Sequence, residues 1–433
     1  MVMRVLAICY EDPEEILGGM GMHVREIYRA LAKNGVDVDL VTSSTLDGSK
    51  DYLGFRKHHD DKLICWKPRR PDISCRYIND IQVAKALTRL IADRLRAGGD
   101  WDVIHMHEWT SVQLGRLCQN ALGLPLVGTM HLCISYLSMI SDPASNPASW
   151  GEADLYMMQQ EGNLVCDPDE FILCSNAYVD IVRKHFLVER PINMIYNGID
   201  TELWNPDAGD GERSVYDHSL HFSQGFPVPG RLIALFVGRI AEMKGITYLL
   251  DALEYADPGW QVVLAGEVNA NTEEDKDRWE VTKRIKALES AHPERLRWVG
   301  FQHGQALRDL YAAADCVLMP STHEPFGIVA LEAMAMGCPL IATEVDGLGE
   351  IVCDGEDEYA MIIPAESPEA ILAALKVLRR STVRAELRAL GLRRVRDFTW
   401  DVAADKTLEV YERAVRRRRD ACPAEESNRA AAR

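Results

Sequence analysis

Residues 232–255 read LIALFV, then GRIAEMKG, then ITYLLDALEY. The first six residues are all apolar, which fits a short strand buried on both faces. Ile246 to Tyr255 place their apolar residues at helical spacing and fit an amphipathic helix. Between them lies a glycine-bounded loop with two cations, Arg239 and Lys244. Strand, short loop and helix form the repeating unit of a parallel sheet with helices on both faces.

The same unit recurs outward in both directions. Downstream, strands are expected at Gln261–Ala265, Leu296–Val299, Cys316–Met319, Pro339–Ala342 and Tyr359–Ile363, with helices such as Gln305–Ala314 between them. Upstream, strands are expected at Val5–Tyr10, Val36–Val41, Trp101–His105, Leu124–Thr129 and Glu170–Ser175. A helix over Val24–Asn34 carries Val24, Ile27, Tyr28 and Leu31 on one face. The two series are separated by Pro206–Gly230, which holds three Pro, four Gly and no apolar period, and reads as a linker. The expected organisation is therefore α/β. It has two doubly wound parallel-sheet domains, 1–205 and 231–400, a linker at 206–230, a last helix at 401–418 and an unstructured tail at 419–433. Ligands of such sheets sit beyond the carboxyl ends of the strands.

Composition narrows the function. The chain has 433 residues and a net charge of −18, which disfavours a general nucleic-acid binder and requires local cations for any anionic ligand. Eleven Cys are scattered with no CxxC pair, which argues against a disulfide framework or zinc ribbon and for a cytoplasmic protein. No apolar run is long enough to cross a membrane, and the N-terminus reads as a strand rather than a signal peptide. The basic run Arg416–Arg419 reads as a solvated helix end, with a membrane-surface contact as the alternative.

Four constellations carry chemistry. Gly18-Gly19-Met20-Gly21-Met22-His23 lies between the first strand and helix, where backbone amides can meet an anion. It is not a dinucleotide fingerprint, because the third glycine is missing and a loop intervenes. His105-Met106-His107-Glu108-Trp109 and Thr129-Met130-His131 end two strands. With no third ligand at a fixed spacing, cleft-lining hydrogen-bonding imidazoles are favoured over a metal, and no metal is expected. Arg239 and Lys244 suit a diphosphate clamp, bidentate from Arg and a point charge from Lys. Finally, Glu324 and Glu332 flank Pro325-Phe326-Gly327 in Ser321–Ala333. If Glu324 just precedes a helix containing Glu332, both carboxylates can face one pocket, and an acid in an apolar stripe calls for ligand hydroxyls. A glycosidase-like acid/base pair is the alternative.

Taken together these residues resemble glycosyltransferase family 4, the group that includes bacterial and archaeal glycogen synthases. The likeness rests on E-x7-E from Glu324 to Glu332, on the Gly18–Val24 and His105–Trp109 stretches, and on Ile195-Tyr196-Asn197-Gly198-Ile199-Asp200 with Trp204-Asn205-Pro206. It also rests on Val237-Gly238-Arg239 with Lys244-Gly245, on Gly300-Phe301 and on Gly337–Ala342. It covers roughly residues 3 to 415.

The resemblance implies the GT-B fold, two Rossmann-like domains facing across a cleft, with the last helix returning to the first domain. It implies retaining transfer of a hexosyl unit, glucosyl first, from UDP- or ADP-glucose to a saccharide such as an α-glucan. No cofactor or obligatory metal is implied. Arg239 and Lys244 would hold the diphosphate, Glu332 the ribose, and Glu324 the sugar hydroxyls. Phe326, Gly327 and Ile328 would lie near sugar and phosphate, and Gly300 and Phe301 at the base. His131 would hold the donor sugar, and Gly19, Met20 and Gly21 would approach the diphosphate. His107, Glu108 and Trp109 are assigned to the acceptor side. The leaving phosphate would take the acceptor proton, with no protein nucleophile.

Two departures bear on the acceptor. Glu108 stands where glycogen synthases usually carry Asp, and the stretch from His131 through Trp150 fits no acceptor pattern. The acidic run Glu11–Glu15 keeps a cationic amino-sugar acceptor open, beside a lipid one. An enzyme of another class, a nucleotide-sugar epimerase, would use a similar anion clamp without an acceptor. A phosphorylase, a dehydrogenase and a periplasmic sugar-binding protein each lack a required feature.

Overall fold

The computed structural model describes residues 2–9, 11, 18–42, 53–55, 100–141, 150–206, 227–255, 258–268 and 276–421. The chain divides into two compact units, residues 1–196 with 400–433, and residues 197–399.

Unit 1 is built on a seven-stranded sheet: β1 (Arg4–Ile8), β2 (Asp37–Val41), β3 (Leu53–Phe55), β4 (Val103–His107), β5 (Leu126–Thr129), β6 (Glu170–Leu173) and β7 (Asn193–Met194). Their order is β3-β2-β1-β4-β5-β6-β7. All neighbours pair in parallel except β2 and β3, so one antiparallel strand closes the edge. Burial on both faces explains the nearly unbroken apolar strands. One face packs under helix Gly19–Lys33, where Val24, Ile27, Tyr28 and Leu31 join Trp400, Ala404, Tyr411 and Ala414 of the last helix, Trp400–Ala421. The last helix thus completes the core of unit 1. Full burial of apolar side chains of this size contributes about 1.5–3 kcal/mol each.

Unit 2 repeats the plan with β8 (Leu232–Val237), β9 (Trp260–Ala265), β10 (Leu296–Gly300), β11 (Cys316–Met319) and β12 (Leu340–Thr343). A hairpin of β13 (Cys353–Asp354) and β14 (Asp357–Glu358) precedes β15 (Met361–Ile363). The sheet order is β10-β9-β8-β11-β12-β15, all parallel. Both sheets therefore run outward from their first strand and then reverse, which is the doubly wound Rossmann order.

Several expectations shift. The first domain was expected to end at 205, yet the division falls after Tyr196. Ile199 N–H donates to the Phe398 carbonyl at 3.1 Å, Ile199 bridges Thr399, and the Trp204 ring meets Tyr311 edge-on, so this segment belongs to unit 2. Helix Gly19–Lys33 starts five residues before Val24, which puts the glycine cluster in its first turn. β4 begins at Val103 rather than Trp101, because Asp102 accepts from Arg4 N–H and Trp101 donates its indole N–H to Asp39. β3 and β7, three and two residues long, leave no periodic signal in the sequence. Of the expected linker, tail and acidic run, residues 207–226, 422–433 and 12–15 lie outside the described residues.

Candidate active site

The strand order puts the reversal between β1 and β4 in unit 1, and between β8 and β11 in unit 2. At such a point adjacent loops leave the strand ends in opposite directions and open a crevice. The segments that follow β1, β4, β8 and β11 carry Gly19 to Gly21 (the first turn of helix Gly19–Lys33), Glu108 and Trp109, Arg239 and Lys244, and Glu324 to Gly327. His107 is the last residue of β4. His131 follows β5, and Phe301 follows β10, which ends at Gly300.

In unit 2, two loops are stitched together. The Met243 carbonyl accepts from Thr322 N–H at 2.9 Å, and Lys244 Nζ meets Glu324 Oε2 at 2.5 Å. Gly245 has φ +70, and a Cβ there would sit 1.8 Å from the Pro320 carbonyl oxygen, so only glycine lets the loops approach this closely. Glu324 sits three residues before Gly327, which caps helix Ile328–Ala335 with φ +107. The helix N-terminus therefore lies beside the Lys244–Glu324 pair in the chain, where its free amides favour an anion. Glu324 N–H is held by Asp346 Oδ2 at 3.0 Å. Glu332 is buried inside the same helix and accepts from Tyr311 Oη at 2.7 Å. Burial, followed by the nearby Glu332 charge, pushes the Tyr311 hydroxyl well above its ordinary pKa and keeps it a donor. Arg239 is exposed, Phe326 and Gly327 are buried, and Ile328, Gly300 and Phe301 are half-buried.

In unit 1 the site is made of imidazoles. Tyr28 Oη lies 2.6 Å from His107 Nε2 and 3.1 Å from His105 Nδ1, and Tyr411 Oη lies 2.6 Å from that same His105 nitrogen. His105 Nε2 meets Thr129 Oγ1 at 2.7 Å, so His105 is a satisfied core residue that ties the last helix to β4. His107 Nδ1 lies 3.2 Å from His131 Nε2, and the His23 ring is 4.5 Å from that of His131. Burial keeps three of these rings neutral: His105 is pushed down to about 3, and His107 and His131 fall well below the usual histidine range.

Glu108, at φ +63, turns its carboxyl inward. One oxygen, Oε1, accepts from the amides of both His131 and Leu132. Burial raises Glu108 to about 8, which leaves Oε2 to carry a proton at neutral pH. Glu161, raised by burial, accepts from Ile134 N–H at 2.6 Å and Ser135 N–H at 3.1 Å and so caps the next helix. His107 Nδ1 and Glu108 Oε1 thus brace His131, while Trp109 is half-buried in a short 3-10 turn. At the start of helix Gly19–Lys33, Gly21 N–H donates to Glu11 Oε2 at 2.7 Å, so a carboxylate occupies the anion position.

Two family models match this chain: "Glycosyltransferase Family 4" over residues 17–203 and "Glycosyl transferases group 1" over 220–389. A D-inositol 3-phosphate glycosyltransferase of Xylanimonas cellulosilytica is 30% identical over 414 residues, covering 93% of each chain. The chain belongs to glycosyltransferase family 4. A Mycobacterium tuberculosis glycogen synthase is 26% identical, with 97% of each chain covered. The fold is matched by sucrose-phosphate synthase from Thermosynechococcus elongatus, with TM-score 0.69, 24% identity, and 95% and 98% of the two chains covered. It is also matched by the catalytic domain of starch synthase IV from Arabidopsis thaliana bound to ADP and acarbose, with TM-score 0.68, 17% identity, and 96% and 100% covered. The fold is GT-B, and the protein is a glycosyltransferase of hexosyl type.

Sequence reasoning about this glycosyltransferase missed His23, Tyr28, Tyr311, Asp346 and Glu161 as site-building residues. His23 stands four residues before Ile27 on the buried helical stripe, which was the available signal. Tyr311 and Glu161 are 21 and 26 residues from the groups they hold, and no local spacing announces them. In the basic run, Arg417 pairs with buried Glu170 at 2.7 Å and Arg416 with Glu412 at 3.3 Å. Among the described residues, no helix is long and apolar enough to cross a membrane.

Proposed function

We propose that the protein transfers a hexosyl unit, glucosyl in the first instance, from a nucleoside-diphosphate sugar to an acceptor hydroxyl with retention of configuration. The observation that carries this reading is the Lys244–Glu324 pair at the β8/β11 reversal, next in the chain to a glycine-capped helix N-terminus. A diphosphate arriving there offers Lys244 a second anion, and the exposed Arg239 guanidinium offers a bidentate contact. As the sugar–phosphate bond breaks, negative charge grows on the leaving diphosphate, where these fixed positive groups act most strongly. Glu324, drawn away from Lys244, becomes an acceptor for sugar hydroxyls, and Glu332, oriented by Tyr311, one for the ribose.

In unit 1, His131 is assigned to the donor sugar, where a neutral imidazole hydrogen-bonds a hydroxyl without competing for phosphate. The amides of Gly19 to Gly21, which already hold a carboxylate, are assigned to the diphosphate. The leaving phosphate takes the acceptor proton, so no protein nucleophile is required. The starch synthase IV neighbour bound to ADP, and the Anabaena HepE structure bound to UDP-glucose, support a nucleotide-sugar donor.

An α-glucan acceptor follows from the glycogen synthase likeness. A small phosphorylated polyol is the second reading, favoured by the 30%-identical relative. The deciding experiment is thermal unfolding with UDP-, ADP- and GDP-sugars. A ligand at about 100 times its Kd adds roughly 2.7 kcal/mol. A shift with one nucleotide series, reduced in Glu332→Ala, supports the donor site. No shift with any of them overturns it. Product analysis with glucan and inositol phosphate then names the acceptor, and conversion of the donor sugar without any acceptor would indicate an epimerase.

A further inference from the structure

We propose that His23, His107 and His131 form a binding site for a borderline divalent cation, zinc in the first instance. The three imidazoles come from the fifth residue of helix Gly19–Lys33, the end of β4 and the segment after β5. One nitrogen from each lies within 4.8 Å of the other two. Zinc–nitrogen bonds of about 2.0–2.1 Å at a tetrahedral angle place ligand nitrogens roughly 3.3 Å apart. His107 Nδ1 and His131 Nε2 are already 3.2 Å apart, so only the His23 ring has to close in.

The surroundings hold two of these ligands in a metal-ready orientation. The Tyr28 hydroxyl, 2.6 Å from His107 Nε2, can accept that N–H and leave the lone pair on Nδ1, facing His131. Glu108 Oε1 fixes the His131 and Leu132 amides and with them the backbone that carries the His131 ring. Three protein ligands leave a fourth position for water, and His131, the most exposed of the three, gives access to it. Imidazole donors favour zinc, cobalt, nickel or copper over magnesium and calcium. On the transferase reading above, a bound cation takes the imidazole assigned to the donor sugar, so zinc is expected to inhibit rather than assist.

The test is a Co2+ titration of the metal-free full chain, followed in the visible. One equivalent should produce tetrahedral ligand-field bands without thiolate charge-transfer bands. Zn2+ should displace it, and Mg2+ should not. His23→Ala and His131→Ala should each abolish the signal, and Tyr28→Phe should weaken Co2+ binding by about 10- to 100-fold. The metal-free melting midpoint of each variant verifies that it is folded, and His23→Gln replaces His23→Ala if that variant is not. Absence of a Co2+ signal in the parent overturns the site, as do thiolate bands or an unchanged titration in a folded His23 variant. Sugar-nucleotide shifts measured with a chelator present report the transferase reading separately, so either proposal can fail alone.

Discussion

The two units share one strand order, and both place polar groups at the reversal of that order, yet they fill it with opposite chemistry. Unit 2 sets an ion pair, Lys244–Glu324, beside a helix N-terminus and an exposed Arg239. Unit 1 sets neutral, buried imidazoles over a pair of tyrosines. The fold fixes where a site can lie, and the side chains decide what it handles. Charges gathered on neighbouring loops suit a diphosphate, whereas desolvated imidazoles suit hydroxyl groups or a borderline cation.

The comparison breaks first at Lys244. Lys244→Ala is expected to cut turnover by about two to three powers of ten, the scale of losing one charge-stabilising donor. Turnover equal to the parent's would show that the charge of unit 2 is not aimed at the reaction. In unit 1, Tyr28→Phe takes away the hydroxyl placed between two buried histidines and should cost about 1–3 kcal/mol of stability, read from unfolding midpoints. A smaller loss would mean that the rings find other partners. Tyr311→Phe should leave the fold intact and weaken nucleotide binding roughly tenfold, because Glu332 loses the donor that orients it. Unchanged affinity would separate Tyr311 from the ribose position.

The smallest effect is a slope. With a chelator present, His105, His107 and His131 protonate more readily unfolded than folded, so stability should fall as pH drops below about 6.5. Glu108 has the opposite sign. Its folded pKa of about 8 lies above its unfolded value, so its contribution is full in acid and is lost as pH rises towards 8. Glu108→Gln mimics the protonated acid, so it should flatten the decline between pH 6.5 and 8 and steepen the acid limb between about 4.5 and 6.5, where the Glu108 slope no longer offsets that of the histidines. An unaltered profile would place the proton elsewhere.

Much of this was legible in the chain. The runs Leu232–Val237 and Cys316–Met319 are strands over the same residues the sequence indicates, because a strand buried on both faces must be apolar throughout. The placing of Glu324 just before a helix that contains Glu332 follows from the apolar period after Gly327. The glycine cluster was legible as an anion position, though not as the first turn of a helix, since glycine is a poor helix former and propensity argues against it. The boundary after Tyr196 was hidden, because the contacts that tie this segment to unit 2, such as the bridge from Ile199 to Thr399, span up to 200 residues of sequence.

The sequence by itself determined the two α/β units and the cations and carboxylates at their strand ends. Those features rest on local periodicity and on residue types that few other roles explain. Only the tertiary structure decided that Lys244 pairs with Glu324, that Tyr311 holds Glu332, that Glu108 turns inward to brace His131, and that His23 completes a cluster with His107 and His131. Each of those is a contact between strand ends or helices distant in the chain, set by sheet order and burial.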